Sequence, residues 1–229
     1  MRNLCKLALS VLLLAPSLQG QVPKVTADLK TGTLKARGTL SVGPQQLSLD
    51  FTSTITEENG TWVITDVTKT PFDVSTDTVT VEKRTLIVRR RAMQGEGAIS
   101  FEVSGNKATG TMEAAGHQIP ISVIFDTPLF ADGPAAAHSI ALLPLAEGYT
   151  TSYYNLDVVS QRVLPVRLRV VGSESVTVPA GTFDTFKVEY APEGGTTQRT
   201  LWVAKESRKP VKAQSNLNNG ATVTVELLP

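Results

Sequence analysis

Polar and apolar residues alternate along most of the chain after residue 20, and Thr and Val are frequent there. Branched side chains favour β-strands, and alternation is typical of a strand with one buried and one solvated face. Gly- and Asn-containing turns separate the alternating stretches, and about a dozen strands at this spacing predict a mainly antiparallel all-β fold. The stretches are 33–42, 45–55, 61–69, 77–81, 86–93, three strands within 98–125, 150–158, 164–178, 182–191, 197–205, 210–217 and 222–228.

The turn residues support this interpretation. Asn59-Gly60 and Asn219-Gly220 are strong hairpin signals, because both residue types tolerate positive φ. Gly105-Asn106 and Gly116 mark two further turns. The short connections show no linker, so we predict a single β-rich domain over residues 21–229.

One segment, ADGPAAAHSIALLPL (131–145), has Ala and Leu in place of Val and Thr. Asp132 or Gly133 can cap a helix, Pro134 suits a first helical turn and Pro144 would end the helix. These signals predict one short helix over roughly residues 134–143.

The stretch SVTVPAGTFDTFKVEY (175–190) brings an Asp, a Lys and a Glu close together around a Pro-Ala-Gly turn. Pro179 and Gly181 predict a hairpin there. Strict alternation places Asp184 on one face and Lys187 and Glu189 on the other, so these charges are not expected to form a common site.

The first 20 residues, MRNLCKLALSVLLLAPSLQG, are typical of a secretory signal peptide: two basic residues, a short apolar core and small residues near its end. Cleavage is compatible with a cut after Ser17 or after Gly20. The only cysteine, Cys5, lies in this segment, so the mature chain would form no disulfide. Cys5 precedes the apolar core, whereas the cysteine of a bacterial lipoprotein anchor would follow that core. We expect a soluble protein of the periplasm or the exterior, with no transmembrane segment in its mature chain.

The net charge of the chain limits the kinds of molecule that it is expected to bind. Removing Arg2 and Lys6 leaves 20 basic against 21 acidic side chains, a net charge of −1. This balance argues against nucleic-acid binding, which requires a basic surface.

The search for reactive groups predicts no catalytic residue, no cofactor and no metal site. His117 falls in a predicted turn and His138 in the predicted helix, and neither has metal-ligand spacing. No serine lies in the strand–turn–helix setting of a nucleophile elbow. We therefore expect structural or surface roles for both histidines, although either could meet an acid in space.

A basic cluster has two interpretations. Lys83, Arg84, Arg89, Arg90 and Arg91 fall within nine residues. They could contact an anionic partner, or they could protect an edge strand against aggregation, which is the commoner use of such charges.

From residue 77 to the C-terminus the chain resembles an uncharacterised family of bacterial cell-envelope proteins, a domain of unknown function. The resemblance rests on TVTVEKRTLIVRR, GNKATGTM, PLFADG, LPLAEGY, VTVPAGTFDTFKVEY and TLWVAKESRKPVK, in that order. It implies a fold similar to periplasmic lipoprotein-carrier and sorting proteins, in which a strongly curved sheet forms an unclosed barrel and a short helical region covers an apolar cavity. The resemblance implies no activity and no site residues.

Three functional hypotheses follow. The first is a non-enzymatic carrier or sensor that binds an acyl chain or another lipophilic ligand in the concave face of the sheet. The second is a β-rich module that binds another envelope protein. The third, and least favoured, is a hydrolase whose site is assembled only in space. The sequence identifies neither a ligand nor an oligomeric state.

Overall fold

A computed structural model describes residues 22–95, 97–195, 197–217 and 220–229. The predicted signal peptide and Asn219 of a predicted hairpin lie outside these ranges. Of that hairpin, Gly220 is described, with φ of 78° and its N–H donating to the carbonyl of Leu217.

The described chain forms one continuous sheet, as the alternating pattern predicts. Fourteen strands are joined in the order β8-β7-β6-β5-β4-β3-β2-β1-β14-β13-β12-β11-β10-β9, and every neighbouring pair is antiparallel. The strands are β1 (Gly32–Val42), β2 (Gln45–Glu58), β3 (Thr61–Lys69), β4 (Val74–Glu82), β5 (Val88–Gln94), β6 (Ile99–Ser104), β7 (Lys107–Ala114), β8 (His117–Ile124), β9 (Thr150–Asp157), β10 (Arg162–Val178), β11 (Gly181–Pro192), β12 (Gln198–Ala204), β13 (Pro210–Asn216) and β14 (Thr222–Leu227).

The strand order places the two ends of the described chain at the centre of the sheet, where β1 pairs with β14. The outer strands β8 and β9 are consecutive in sequence but do not pair, so the barrel-like sheet is unclosed. Because all pairs are antiparallel, the odd-numbered strands run in one direction. The turns that follow them therefore lie at one end of the sheet. We call the described residues of these turns the upper rim (43–44, 70–73, 95, 97–98, 115–116, 158–161, 193–195, 197, 217 and 220–221).

Two sets of contacts lie across the opening between the outer strands, β8 and β9. Leu129 and Phe130 form isolated bridges with Tyr154 of β9 and Ile87 beside β5, so this segment spans the concave side. Gln161, after β9, bonds the backbone of β8 with both ends of its amide, at Pro120 O (2.9 Å) and Ser122 N (3.4 Å). The exposed hydrogen-bonding groups of the β8 edge are thereby partly satisfied.

The predicted helix is present as α1 (Ala135–Ala141). Ile140 and Ala141 join the main hydrophobic core, which also takes in residues of β2–β12, so the helix covers the inner face of the sheet. Sequence-based capping was wrong in detail: Pro134 occupies the N-cap position with no side-chain cap. The Asp132 carboxylate instead accepts from Gly133 N–H and from Arg91.

The basic cluster does not lie on an edge strand, so that prediction was wrong. β5, which carries Arg89, Arg90 and Arg91, lies between β4 and β6. Its charges instead pair with nearby acids: Arg89 with Glu82, and Arg90 with Glu102 at 3.8 Å. Lys83, before β5, pairs with Glu57 at 2.7 Å.

The predicted hairpin of residues 175–190 joins β10 and β11 through Pro179 and Ala180. Lys187 pairs with Glu174 at 3.4 Å, and Glu189 pairs with Arg169 at 2.7 Å. These charges therefore take part in separate cross-strand ion pairs.

The described ranges contain no helix with the length and apolar character needed to cross a membrane.

Candidate ligand cavity

Polar side chains form a row across the inner face of three central strands. The register pairs Ser53 of β2 with Asp66 of β3, and Asp66 with Asp77 of β4. The adjacent row, Ile55, Ile64 and Val79, is buried. Since residues two apart on a strand share a face, the polar row also faces the interior.

The helix supplies a fourth polar group to this row. His138 is buried on α1, and its Nε2 atom lies 2.9 Å from Oγ of Ser53. A hydroxyl has one proton to donate. If Ser53 donates it to Asp66, His138 must carry its proton on Nε2 and donate to Ser53, which gives a chain from the helix through β2 to β3.

A cavity of about 210 Å³ lies beside this chain, between α1 and the central strands. Ser53, Asp66 and His138 form its polar end. Its remaining wall is mostly apolar and consists of Leu34, Ala36, Phe51, Pro134, Ala137, Leu201, Pro210, Val211, Lys212, Ala213, Val225 and Leu227. Small-molecule sites commonly have this form, an apolar wall with a few convergent polar groups.

The position of Phe51 in this wall depends on a glycine. A Cβ atom built on Gly38 of β1 would lie 2.4 Å from Cε2 of Phe51. The ring therefore lies directly over the backbone of β1, and only glycine leaves it that space.

Burial perturbs both ionisable groups at the polar end. Burial raises the pKa of Asp66 to about 6, the Ser53 hydrogen bond opposes the rise, and the nearby Asp77 carboxylate adds to it. Burial lowers the pKa of His138 to about 4, so the imidazole is neutral near pH 7. The Oδ1 atom of Asp66 is buried and has no hydrogen-bond partner.

Arg91 forms ion pairs with two neighbouring carboxylates, those of Asp77 and Asp132. It bonds both carboxylate oxygens of Asp77, at 3.1 and 2.7 Å, and Oδ1 of Asp132 at 3.0 Å. Burial lowers the pKa of Arg91, but the carboxylates of Asp132 and Asp77 outweigh this effect and the net shift is upward. Arg91 thus links the segment that leads into α1 to β4 and β5, and helps to position His138.

The polar end contains Ser, His and Asp, but not in the arrangement of a hydrolytic triad. In a triad the carboxylate holds the far side of the imidazole and the serine lies at the other end. Here Ser53 lies between Asp66 and His138. The carboxylate therefore cannot orient His138 in the way that nucleophile activation requires.

The histidines singled out from the sequence have different surroundings. His117 is exposed at the start of β8, whereas His138 lines the cavity. No group of three or more His, Cys, Asp or Glu that could hold a metal ion occurs in the described part of the chain.

Sequence reasoning missed Ser53, Asp66, Asp77 and the inward position of Arg91. A signal was present for the first three. Each lies two residues from a buried Ile or Val of its own strand, so strict alternation places it on the apolar face. The contact of Ser53 with His138 had no comparable signal, since nothing in the sequence states where the helix docks.

Comparisons with known proteins agree with the fold. The chain matches the family described as "Protein of unknown function (DUF3108)" over residues 25–227, so the match includes the strands before residue 77. A crystal structure from Brucella abortus, a "Beta-barrel-like Protein of Domain of Unknown Function DUF1849", is 9% identical, with a TM-score of 0.55, and the alignment covers 91% of this chain and 98% of that one. At this identity the likeness shows the fold alone.

Two other solved structures are more distant. A DUF1329 family protein from Desulfovibrio piger is 13% identical over 85% of this chain and 82% of that one, and a protein with a YmcC-like fold from Bacteroides fragilis is 11% identical over 90% and 97%. Both have a TM-score of 0.30. No curated protein matches the chain.

Proposed function

The chain belongs to the DUF3108 family of proteins of unknown function, and from that premise we propose that it is a non-enzymatic carrier or sensor of a small lipophilic ligand. The ligand would bind in the cavity between α1 and the central strands. The observation that carries the proposal is the mostly apolar wall of this cavity on the concave side of an unclosed sheet.

The central strands support this role by leaving the inner face incompletely filled. The outer strands on both sides contribute fully buried residues such as Phe101, Ile121 and Leu168. In contrast, Leu34, Ala36 and Phe51 of β1 and β2 are only partly buried. Partly exposed apolar side chains that face inward gain contacts when an apolar ligand covers them.

We further propose that the protein is exported to the periplasm or secreted. The basic start, apolar core and small-residue end of residues 1–20 support this part of the proposal. A carrier outside the cytoplasm would meet lipophilic molecules of the envelope.

Native mass spectrometry of the purified chain, followed by organic extraction, tests the carrier function. We expect a bound lipophilic species that an Ala213→Leu variant no longer retains, because the larger side chain fills the cavity. Ala114→Leu makes the same change at an exposed position of β7 and should retain the ligand. An empty protein that also fails to bind a simple alkyl alcohol in titration would refute the proposal.

A second candidate function, binding of another envelope protein, is favoured by apolar side chains at the upper rim. Phe72 and Val159 are 85% and 79% exposed, in turns after β3 and β9. Val42, Val74 and Leu217 are also exposed and lie at or beside turns of the same rim. Exposed apolar residues gathered at one end are typical of an interaction surface.

A photo-crosslinking residue in place of Phe72 tests this alternative in cells. Ile124 is 71% exposed at the opposite end and is the matched control position. One defined adduct from position 72 and none from position 124 would support a partner at the upper rim. Absence of any adduct, or equal labelling from both positions, would count against it.

A further inference from the structure

One oxygen of the Asp66 carboxyl group, at the polar end of the cavity, has no hydrogen-bond donor. The Oδ1 atom of this carboxyl group is buried and has no partner within the protein, and Asp66 is one of the residues that line the cavity. A buried acceptor without a donor is unfavourable, and a ligand that supplies an N–H or O–H group would remove this penalty.

The surrounding charges favour a donor over an anion. Asp77 lies beside Asp66 in the register, and the three hydrogen bonds that Arg91 makes to carboxylates are directed to Asp77 and Asp132. The imidazole of His138 is held neutral by burial. Lys212, a basic residue of the cavity wall, pairs with Glu226 through its Nζ atom at 2.8 Å.

We propose that the ligand of this cavity is an alkyl amphiphile whose head is a hydrogen-bond donor, an amine or an alcohol, and that Asp66 accepts that donor. The inference rests on the proposed carrier function, since the same cavity holds the alkyl chain. An anionic head, such as a fatty carboxylate or a phosphate, is disfavoured because it would lie beside the carboxyl groups of Asp66 and Asp77.

The volume limits the length of the buried chain. A dry cavity of about 150 Å³ accommodates benzene, which has six heavy atoms. The cavity of about 210 Å³ therefore holds roughly eight heavy atoms. Octylamine, 1-octanol and octanoate are suitable probes, because each has eight carbon atoms in an unbranched chain and they differ in the head.

Calorimetric titration of the purified full-length mature chain at pH 8 compares the affinities for the three head groups. We expect octylamine and 1-octanol to bind at least tenfold more tightly than octanoate. In Asp66→Asn the affinity for octylamine should fall about tenfold, because the amide offers no charge to an ammonium group. Asp73→Asn removes a carboxylate from the β3–β4 turn, outside the cavity wall, and should leave all affinities unchanged.

The outcomes distinguish a failure of the donor-head inference from a failure of the carrier function. If octanoate binds as tightly as octylamine, or if Asp66→Asn preserves the preference, the donor-head inference is overturned while the carrier function stands. If none of the three probes binds, the carrier function itself is overturned. Octylamine binding that survives Ala213→Leu would place the amine outside the cavity and would also overturn the inference.

Discussion

Ser53 of β2 and His138 of α1 are 85 positions apart in sequence, and their side chains meet at 2.9 Å on the inner face of the sheet. This contact links the single helix of the described chain to the central strands. It also brings a neutral, buried imidazole next to the row of Ser53, Asp66 and Asp77. The stability of the fold should therefore respond to pH through this site.

We expect His138 to destabilise the fold in mild acid. Its pKa is about 4 in the folded protein against an ordinary value of 6.5. The neutral form is present in both states above pH 6.5, so the full stability exists there and is lost as the pH falls from 6.5 towards 4. The loss should reach roughly 3 kcal/mol at pH 4.

Urea unfolding at pH 7.5, 5.5 and 4.5 measures this loss, and His138→Gln is the test variant. The variant should lose the rise in unfolding free energy that His138 contributes between pH 4.5 and 7.5, which leaves the opposing fall contributed by Asp66. His117→Gln, at an exposed histidine, should retain the wild-type slope. Equal slopes for all three proteins would show that His138 does not titrate in this range.

Asp66 should act in the opposite direction. Its pKa rises from 3.8 to about 6 on folding, so the protonated form is favoured in the folded state. The contribution of Asp66 to stability is therefore fully present below pH 3.8 and decreases as the pH rises through 6, by up to roughly 3 kcal/mol. Asp66→Asn should raise the unfolding free energy at pH 7.5 and have little effect at pH 3.5. A variant less stable than wild type at pH 7.5 would contradict this expectation.

Arg91 should be necessary for the stability of the fold, unlike its neighbour. Removing its guanidinium group would leave Asp77 and Asp132 as uncompensated carboxylates, which costs about 3 to 5 kcal/mol for a buried pair. Arg90→Ala is the matched control, since Arg90 is exposed and lies 3.8 Å from Glu102. Its effect should stay within about 0.5 kcal/mol. Chemical denaturation of Arg91→Ala and Arg90→Ala measures both, and similar effects would argue against the inward network.

The stability of the fold should require glycine at position 38, because the ring of Phe51 lies over it. Gly38→Ala places a methyl group where the ring lies, and such overpacking costs about 1 to 3 kcal/mol. In a Phe51→Ala background the same substitution should cost less, because only the contact with Cβ of Leu49 at 3.1 Å remains tight. A double-mutant cycle measured by denaturation isolates this coupling. Additive effects of the two substitutions would show that the ring does not lie over Gly38.

Local patterns in the sequence predicted the strands, most turns and the helix, because these depend on residues close together in the chain. Period-two alternation specifies a half-buried strand, Asn-Gly and Pro-Ala-Gly specify tight turns, and the Ala-rich segment between two prolines specifies a short helix. The same alternation also indicates that Ser53, Asp66 and Asp77 face the interior, although this inference was not drawn from the sequence.

The tertiary structure alone decided the partners of these residues. Strand order depends on long-range pairing, which local composition does not encode. The structure places β5 between β4 and β6, so Arg91 lies inside the sheet and not on the expected edge strand. The docking of α1 decided that His138 meets Ser53 and that a cavity remains beside them. Sequence alone therefore determined the elements and their faces, whereas the cavity and its polar end arose only where segments distant in the chain pack together.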